Sequence, residues 1–406
     1  MAGNIDVIVV GGGYAGVMAA NRLTRRDGVT VTLINPRPVF VERIRLHQLV
    51  GGSDDAVVDY RRILAGGVGL VVDTVTRIDT SGRRVTLASG GTLGYDYLIY
   101  AVGSGSADPS VPGAAEHAYP ISTLEEARRL QPVVDAAPAS ATVTVVGAGP
   151  TGLETASELA ELGRKVTLVC GRVLGPYLHP RARRSVAERL TRLGVTVIEG
   201  PGATVTGVTR DAVQLADGRE LVSGVTIWTA GFGVPDLAAR SGLSTDALGR
   251  LLTDESLTSV DDTRVVAAGD SAAPSNLPVR MSCQSAVQLG PQAAETVLSR
   301  IAGEQPADFN VGFSGQCISL GRRAGMVQYA KKNDIATGVF SVGGRTMAML
   351  KETVCRSTVW QLAHEARRPG SLNLWFKDRQ RQELRRAKGG EAPAVAGRRA
   401  QGEVPR

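Results

Sequence analysis

The fold that this sequence predicts is α/β, with two doubly wound units of which the second is inserted in the first, and three features carry that prediction. A β-branched apolar run leads into Gly-x-Gly-x-x-Gly twice, with Gly11, Gly13 and Gly16 in the first copy and Gly147, Gly149 and Gly152 in the second. Each copy precedes a helix-forming stretch, residues 17–23 and 153–162, and then a second apolar strand, residues 29–34 and 165–169. A later strand, residues 265–268, ends in Gly269-Asp270 and is placed to return to the first sheet. The glycine spacing has a physical reason. The first glycine permits a tight strand-to-helix turn, the second lets backbone N–H groups approach a pyrophosphate, and the third lets the helix pack closely on its sheet, its N-terminus facing the anion. A single copy is weak evidence, since many α/β proteins contain a glycine-rich turn. Two copies in the same strand–helix–strand setting predict two Rossmann-like dinucleotide-binding domains.

The remaining elements follow in chain order. Residues 35–60 read as a loop, strand-like runs occupy 69–75 and 84–87, and 95–103 reads as a strand ending in Ala101-Val102-Gly103. The proline-bearing stretch 108–113 reads as a crossover. The second unit then runs from Val143 to Gly231, with an amphipathic helix near 181–193 and a hairpin near 205–221 turning at Asp217-Gly218. Residues 345–365 form a helix with Met347, Leu350, Val354 and Leu362 at helical spacing. The expected division assigns 1–115 and 250–322 to the first domain, 116–249 to the second, 323–387 to a C-terminal strand and helix segment, and 388–406 to a disordered basic tail.

Composition narrows the class. A chain of 406 residues with 43% hydrophobic content suits two or three globular domains. No run of about 18 apolar residues is present, and the first residues enter a strand without the basic and apolar segments of a signal peptide. The expected location is the cytoplasm, free or at the inner face of a bacterial membrane. The net charge is +7, and residues 377–406 hold nine basic and four acidic side chains. The excess therefore belongs to a tail, and no nucleic-acid partner is expected. Cys170, Cys283, Cys317 and Cys355 form no Cys-x-x-Cys pair, so reduced thiols and no metal site are expected.

In this order, the two glycine turns, the Ala101-Val102-Gly103 and Thr229-Ala230-Gly231 strand ends and Gly269-Asp270 resemble the flavoproteins with two dinucleotide-binding domains. Within them, Gly149-Pro150-Thr151-Gly152-Leu153-Glu154 and Cys283-Gln284-Ser285-Ala286-Val287-Gln288 are similar to the type II NADH:quinone dehydrogenases, which are pyridine nucleotide-disulfide oxidoreductase-like but lack the redox disulfide. The resemblance spans roughly residues 5–330. It implies FAD in the first domain, held by Gly11, Gly13, Tyr14, Ala15, Gly16, Asn35, Arg37, Arg45, Val75, Ala101, Gly103, Asp270 and Gln284. It implies NADPH or NADH in the second, held by Gly147, Gly149, Pro150, Thr151, Gly152, Glu154, Cys170, Arg172, Ala230 and Gly231.

The same resemblance assigns roles, each with a plainer alternative. Asp270 would hydrogen-bond the flavin near its ribityl chain or pyrophosphate, a reading that the preceding apolar strand favours over a plain helix cap. Glu154 would lie where nicotinamide meets flavin, although a glutamate in a first helical turn is favoured by the macrodipole in any protein. Gln284 and Gln288, four apart on one helix face, would offer amides to a quinone carbonyl, or else form a solvated pair.

Three departures from the family pattern matter. Asn35 replaces the ribose-binding acid of the first domain and still accepts a hydrogen bond. Cys170 replaces it in the second, with Arg172 two residues on, so that a 2′-phosphate meets no carboxylate and a nearby cation; NADPH is then tolerated or preferred. Ile44-Arg45-Leu46-His47 stands where the family has Pro-Leu-Leu-Tyr, and Arg45 and His47 stabilise negative charge on a reduced flavin, protonate a product, or are ordinary surface residues.

The implied activity passes hydride from NAD(P)H to flavin and two electrons onward to a quinone or small aromatic acceptor. Residues 345–365 with Trp360, Trp375 and Phe376 would give peripheral membrane contact, and the assembly would be a monomer or homodimer. The alternatives are a soluble flavin oxidoreductase acting on a small aromatic biosynthetic substrate and a flavin redox sensor like apoptosis-inducing factor. A sulfur-handling pair of Cys170 and Cys317 is a weaker one.

Overall fold

The first apolar run becomes β1 (Ile5–Val10), and its glycine turn leads through α1 (Tyr14–Leu23) to β2 (Val29–Asn35). The computed structural model, which describes residues 4–372 and 380–388, continues through α2 (Leu46–Val50), β3 (Val68–Val72) and β4 (Tyr97–Tyr100). The second unit follows with β5 (Ala118–Pro120), α3 (Leu124–Ala136), β6 (Thr142–Val146), α4 (Pro150–Glu161), β7 (Lys165–Val169), α5 (Pro180–Arg192), β8 (Thr196–Ile198) and β9 (Val225–Trp228). The chain returns through β10 (Val265–Ala267) and α6 (Cys283–Ile301). It then forms the antiparallel strands β11 (Gly315–Ser319), β12 (Gly325–Ala330) and β13 (Ala336–Gly343), and the long helix α7 (Arg345–Arg367).

Two five-stranded parallel sheets result, in the orders β10-β4-β1-β2-β3 and β5-β9-β6-β7-β8. Because β10 pairs with β4, the second sheet, whose strands run from β5 to β9, is an insertion in the first unit. In each sheet the glycine turn leaves the end of a central strand, β1 or β6, where the strand order reverses. That is the crevice in which open α/β sheets bind ligands.

The strands are continuously apolar because both faces are covered. Val7, Ile8, Val9 and Val10 are all buried. One face of the first sheet carries α1 and α6, packed so closely that a Cβ on Gly290 would lie 2.3 Å from the Ala15 carbonyl oxygen. The other face is closed by a small antiparallel sheet whose Val75, Ile78 and Val85 pack on Ile8, Val10 and Ile34. The C-terminal segment rests on the second unit through Ile318, Leu320 and Met326, and on the first through Leu362.

Several elements differ from the sequence reading. Residues 35–60 are not a loop: Val39–Val41 pairs with Val57–Asp59, and a 3-10 turn, Arg43–Arg45, leads into α2. Elements of three to five residues are too short to show a period. The hairpin near 205–221 is a three-stranded meander, with Asp217-Gly218 joining Ala212–Leu215 to Glu220–Val222. The apolar run 69–75 is divided, β3 ending at Val72 and a new strand starting at Val75. In α7, Leu350 and Val354 are exposed, Met347 is half-buried and Leu362 is buried, so they do not share a face. The buried face holds Lys351, Cys355, Thr358, Leu362 and Glu365, a polar series matched by buried partners. Trp375, Phe376 and residues 389–406 of the expected basic tail lie outside the described residues.

Candidate functional site: two glycine cradles and a charged junction

The first cradle is shaped by what each glycine position permits. A Cβ on Gly11, at φ +103°, would lie 2.3 Å from the Ala101 carbonyl oxygen, and one on Gly16 would lie 1.8 Å from that of Gly11. Neither position has room for a side chain. Gly13, the N-cap of α1, would place its Cβ in open space with nothing within 4 Å, which is where an anion would approach the amides of Gly13, Tyr14 and Ala15. Asn35 Oδ1 accepts from the Gly12 amide at 3.0 Å and Tyr60 Oη donates to the Gly12 carbonyl at 2.7 Å, so Asn35 braces the turn itself. Its Nδ2 donates to the Arg37 carbonyl, and Arg37 pairs with Glu125 of α3 at 2.5 Å.

At the open end of this cradle, Asp270 accepts from Ser104 Oγ at 2.6 Å and from the Ser282 amide at 3.2 Å, with Arg43 Nη1 at 3.5 Å. Gly103, at φ +71° with nothing within 4 Å, leaves space beside them. Val75 is buried under β1 and β2, and its side chain belongs to the core. Tyr14 likewise turns inward, edge-on to Phe40 at 5.0 Å. Sequence reasoning missed Arg43, Ser104 and Tyr60, which belong to no motif and reach the cradle from separate segments.

The second cradle repeats the design. A Cβ on Gly147 would lie 2.6 Å from Thr229 Oγ1, and one on Gly152 would lie 1.8 Å from the Gly147 carbonyl oxygen, whereas Gly149 faces open space. Thr229 plays the part of Ala101, its hydroxyl donating to the Val146 carbonyl at 2.8 Å. Pro150 at the first position of α4 has no N–H to leave unpaired, and Thr151 follows it into the helix. Ala230 accepts from Trp228 Nε1, and Gly231 turns at φ +83°. At the end of β7, Cys170 is pushed up to about 12 by burial and by the neighbouring Glu199 carboxylate. That carboxylate accepts from the Leu174 amide at 2.6 Å, while Arg172 is exposed and unpaired among the described residues. Both cradles therefore fit a dinucleotide pyrophosphate: each closes on its first and third glycines and opens at its second.

Between the units lies a buried ionic junction. Glu154 Oε1 accepts from Lys351 Nζ at 3.0 Å and from the Ser319 amide at 3.0 Å, and Oε2 lies 3.7 Å from His47 Nδ1. Burial pushes Glu154 up, but Lys351, His47 and the Ser319 amide together outweigh it and hold the carboxyl below its ordinary value. Burial likewise pulls the Lys351 ammonium down, yet Glu154 outweighs that, and the group stays charged. Arg45 and His47 are buried rather than on the surface. Arg45 binds Glu42, Gln48 and both oxygens of Glu352, and its hydrogen bonds hold Glu352 down at about 2. The oxygens of Glu154 and the donors of Arg45 are thus largely engaged by the protein.

The glutamine pair separates. Gln288 is buried, donates to the Gln284 and Gly312 carbonyls and accepts from the Gly312 amide, so its amide braces α6 against residues 309–314 instead of facing an acceptor. Gln284 donates to Ser314 Oγ at 2.6 Å, and its buried Oε1 has no hydrogen-bond partner among the described residues. Cys170 and Cys317 do not form a sulfur pair: Cys170 neighbours Glu199, whereas Cys317 lies by Cys355, Glu154 and Lys351, whose ammonium donates to the Cys317 carbonyl at 3.4 Å.

A cavity of about 330 Å³ opens between the second unit and the C-terminal sheet, lined by Tyr177, His179, Arg280, Gln316, Gln328 and Asp334 among others. A narrow crevice shares Tyr177, Leu178 and Gln316 with it and reaches Ala148 and Pro150 of the second cradle. Gln316 Oε1, buried there, has no hydrogen-bond partner among the described residues.

Comparison with known proteins agrees with this arrangement. The chain is 33% identical over 325 residues to an NADH dehydrogenase-like protein of Mycobacterium tuberculosis, covering 72% of this chain and 80% of that one. It is 25% identical to a type II NADH:quinone oxidoreductase of Staphylococcus epidermidis, over 91% of this chain and 97% of the relative. A solved structure of NDH2 from Plasmodium falciparum in complex with NADH superposes with a TM-score of 0.75 at 16% identity, covering 89% of this chain and 97% of the other, which shows a shared fold. The family model for pyridine nucleotide-disulphide oxidoreductases matches residues 5–294, and with two open glycine cradles on doubly wound sheets the chain belongs to that family.

Proposed function

We propose that the protein oxidises NADH or NADPH and passes the two electrons, through FAD held by the first cradle, to a quinone-type acceptor. One observation carries the reading: the side chain two residues past the second cradle, Glu154, meets His47 of the first unit and Lys351 of α7 at a buried junction, so the two nucleotide sites share one charged wall. When bound, FAD supplies two-electron chemistry. Gly13 and Gly149 leave room for the two pyrophosphates, and the amides of α1 and α4 point toward them. Asp270, oriented by Ser104 and Arg43, accepts a hydroxyl hydrogen bond at the open end of the first cradle. Lys351 places a buried positive charge near Cys283 at the start of α6, where electron transfer to an oxygen acceptor builds negative charge. The Staphylococcus relative, named for NADH and quinone, supports the same assignment.

The donor is set by two opposed charges. Arg172 attracts a 2′-phosphate, and Glu199, next to Cys170, repels it. Among the described residues no helix is long and apolar enough to cross a membrane. Met349, Leu350, Val354 and Trp360 are exposed on α7 beside Arg345 and Arg356, and we assign to them the peripheral contact with an anionic membrane surface. Pelleting with anionic liposomes tests that contact, and sedimentation equilibrium distinguishes monomer from homodimer.

The direct test is spectroscopic. The purified protein should be yellow, bleach with NADH or NADPH, and regain colour with short-chain and long-chain quinones. A colourless preparation that FAD does not reconstitute overturns the reading. Recovery with aromatic oxidants but no quinone replaces the acceptor with a small aromatic substrate.

A further inference from the structure

His47 has a setting that hydride transfer does not require. It is 3% exposed, and its ring lies between two carboxylates of α4, with Nδ1 3.7 Å from Glu154 Oε2 and Nε2 3.7 Å from Glu158 Oε2. Both separations exceed an N–H···O hydrogen bond by about 0.8 Å, so the imidazole is flanked without being locked. His47 Nε2 and Glu158 Oε2, both buried, have no hydrogen-bond partner among the described residues. The other Glu158 oxygen accepts from Ser53 Oγ at 2.5 Å, and Ser53 is exposed to solvent. Inward of His47, Glu154 is bonded to Lys351 at 3.0 Å. A series of exchangeable groups therefore runs from water through Ser53, Glu158, His47 and Glu154 to Lys351, with a gap of 3.7 Å on each side of the imidazole that must close for a proton to pass.

We propose that Glu158 and His47 are the outer half of a proton relay that brings a solvent proton to the Glu154–Lys351 pair, an inference that rests on the quinone-type reading above. Oxidising one NADH and reducing one quinone to its quinol takes up one proton: NADH and H⁺ give NAD⁺, and the two quinone oxygens end as hydroxyls. The relay supplies that proton. Glu158 Oε2–H protonates His47 Nε2 while His47 Nδ1–H protonates Glu154 Oε2. Lys351 Nζ–H donates toward the acceptor oxygen and is reprotonated by Glu154. Water at Ser53 reprotonates Glu158 at Oε1, rotation of the carboxyl turns that proton toward His47, and proton exchange with solvent between turnovers returns the imidazole to its Nδ1–H tautomer.

Protonation states agree with the geometry. Burial pushes Glu158 up to about 7, partly offset by Ser53 and Arg322 and reinforced by Glu154 and Glu161. Burial pushes His47 down to about 4, Glu154 opposing and Lys351, Arg322 and Arg45 adding to the shift. Near neutrality Glu158 has a proton to give, and the imidazole is neutral, with one nitrogen to accept and one to donate.

The test uses the full chain loaded with flavin and compares wild type with Glu158→Gln and His47→Gln in stopped flow. Bleaching by NADH should change less than about twofold in Glu158→Gln, while recovery of colour with a short-chain quinone should slow at least about tenfold in both variants at unchanged quinone KM. Its solvent deuterium isotope effect should rise, and added imidazole should restore recovery in His47→Gly. Infrared spectra of the protein without donor or acceptor should show a protonated carboxyl band that titrates near pH 7 and is lost in Glu158→Gln. Equal slowing of both half-reactions, no slowing of either, or a band that survives the substitution overturns the relay. Failure of the quinone reading is a distinct result, in which wild-type flavin bleaches and no quinone restores it; recovery is then followed with the aromatic oxidant that does, against the same variants.

Discussion

Gly13 and Gly149 are the residues at which substitution separates binding from folding. Gly149 has φ −71°, open to any residue, and nothing within 4 Å of an added Cβ, whereas a Cβ on Gly152 would strike the Gly147 carbonyl. Gly149→Val should therefore fold normally and lose at least about tenfold in NAD(P)H affinity, read by calorimetry, by filling the space left for a pyrophosphate. Gly152→Ala should instead lower the melting temperature, with a cost of roughly 1–3 kcal/mol for overpacking. A stable Gly152→Ala variant would contradict the close approach of Gly152 to the Gly147 carbonyl. The charges beside Cys170 predict donor choice: Arg172→Ala should lower the ratio of kcat/KM for NADPH over NADH about tenfold, and Glu199→Gln should raise it. Unchanged ratios in both would place the 2′ position elsewhere.

Glu158 and His47 also make stability depend on pH, in opposite senses. The Glu158 carboxyl, pushed up to about 7, keeps its proton where the unfolded chain has lost it, so its contribution is present below about 4.5 and lost as pH rises through 7. The His47 imidazole, pushed down to about 4, contributes above about 6.5 and loses that contribution as pH falls through 4. Glu158→Gln removes the first effect alone. Its stability relative to wild type should rise by roughly 2–3 kcal/mol between pH 4.5 and 7.5, measured by urea unfolding at each pH. A difference that does not vary with pH would show that Glu158 titrates normally.

At the scale of elements, α7 is held by charge as much as by apolar contact. Arg22 of α1 is 3% exposed and pairs with Glu365, which is fully buried, and with Glu295 of α6 at 2.8 Å. Its Nη2 also donates to the Leu372 carbonyl, and Asn21 donates to that of Leu362. Glu365→Ala leaves the Arg22 guanidinium buried with Glu295 as its one carboxylate partner among the described residues, and should cost about 3–5 kcal/mol in thermal or urea unfolding. A loss below about 1 kcal/mol would mean that α7 docks by its apolar contacts. This polar docking is why the apolar spacing of Met347, Leu350, Val354 and Leu362 indicates the helix but not its buried face. The strand–helix–strand units were legible because long buried strands and alanine-rich helices declare their period. Residues 35–60 were not, since their short elements depend on pairing between Val39–Val41 and Val57–Asp59.

For the whole molecule, the C-terminal segment joins the two nucleotide units: its sheet packs on the second and α7 on the first, with Lys351 in the junction between them. The amino-acid sequence by itself determined the two cradles, because Gly11, Gly13 and Gly16, like Gly147, Gly149 and Gly152, act on the backbone within a single turn. It also determined the insertion, through the order of its apolar strands. Only the tertiary structure decided which side chains are available there. Gln288 looks like an acceptor ligand until Gly312 is seen to satisfy it, and Arg45 looks exposed until Glu352 closes over it. Buried charge is tolerated only where a partner neutralises it, and here the partners of Glu154, Arg22 and His47 come from segments far apart in the chain, which no local pattern of residues can announce.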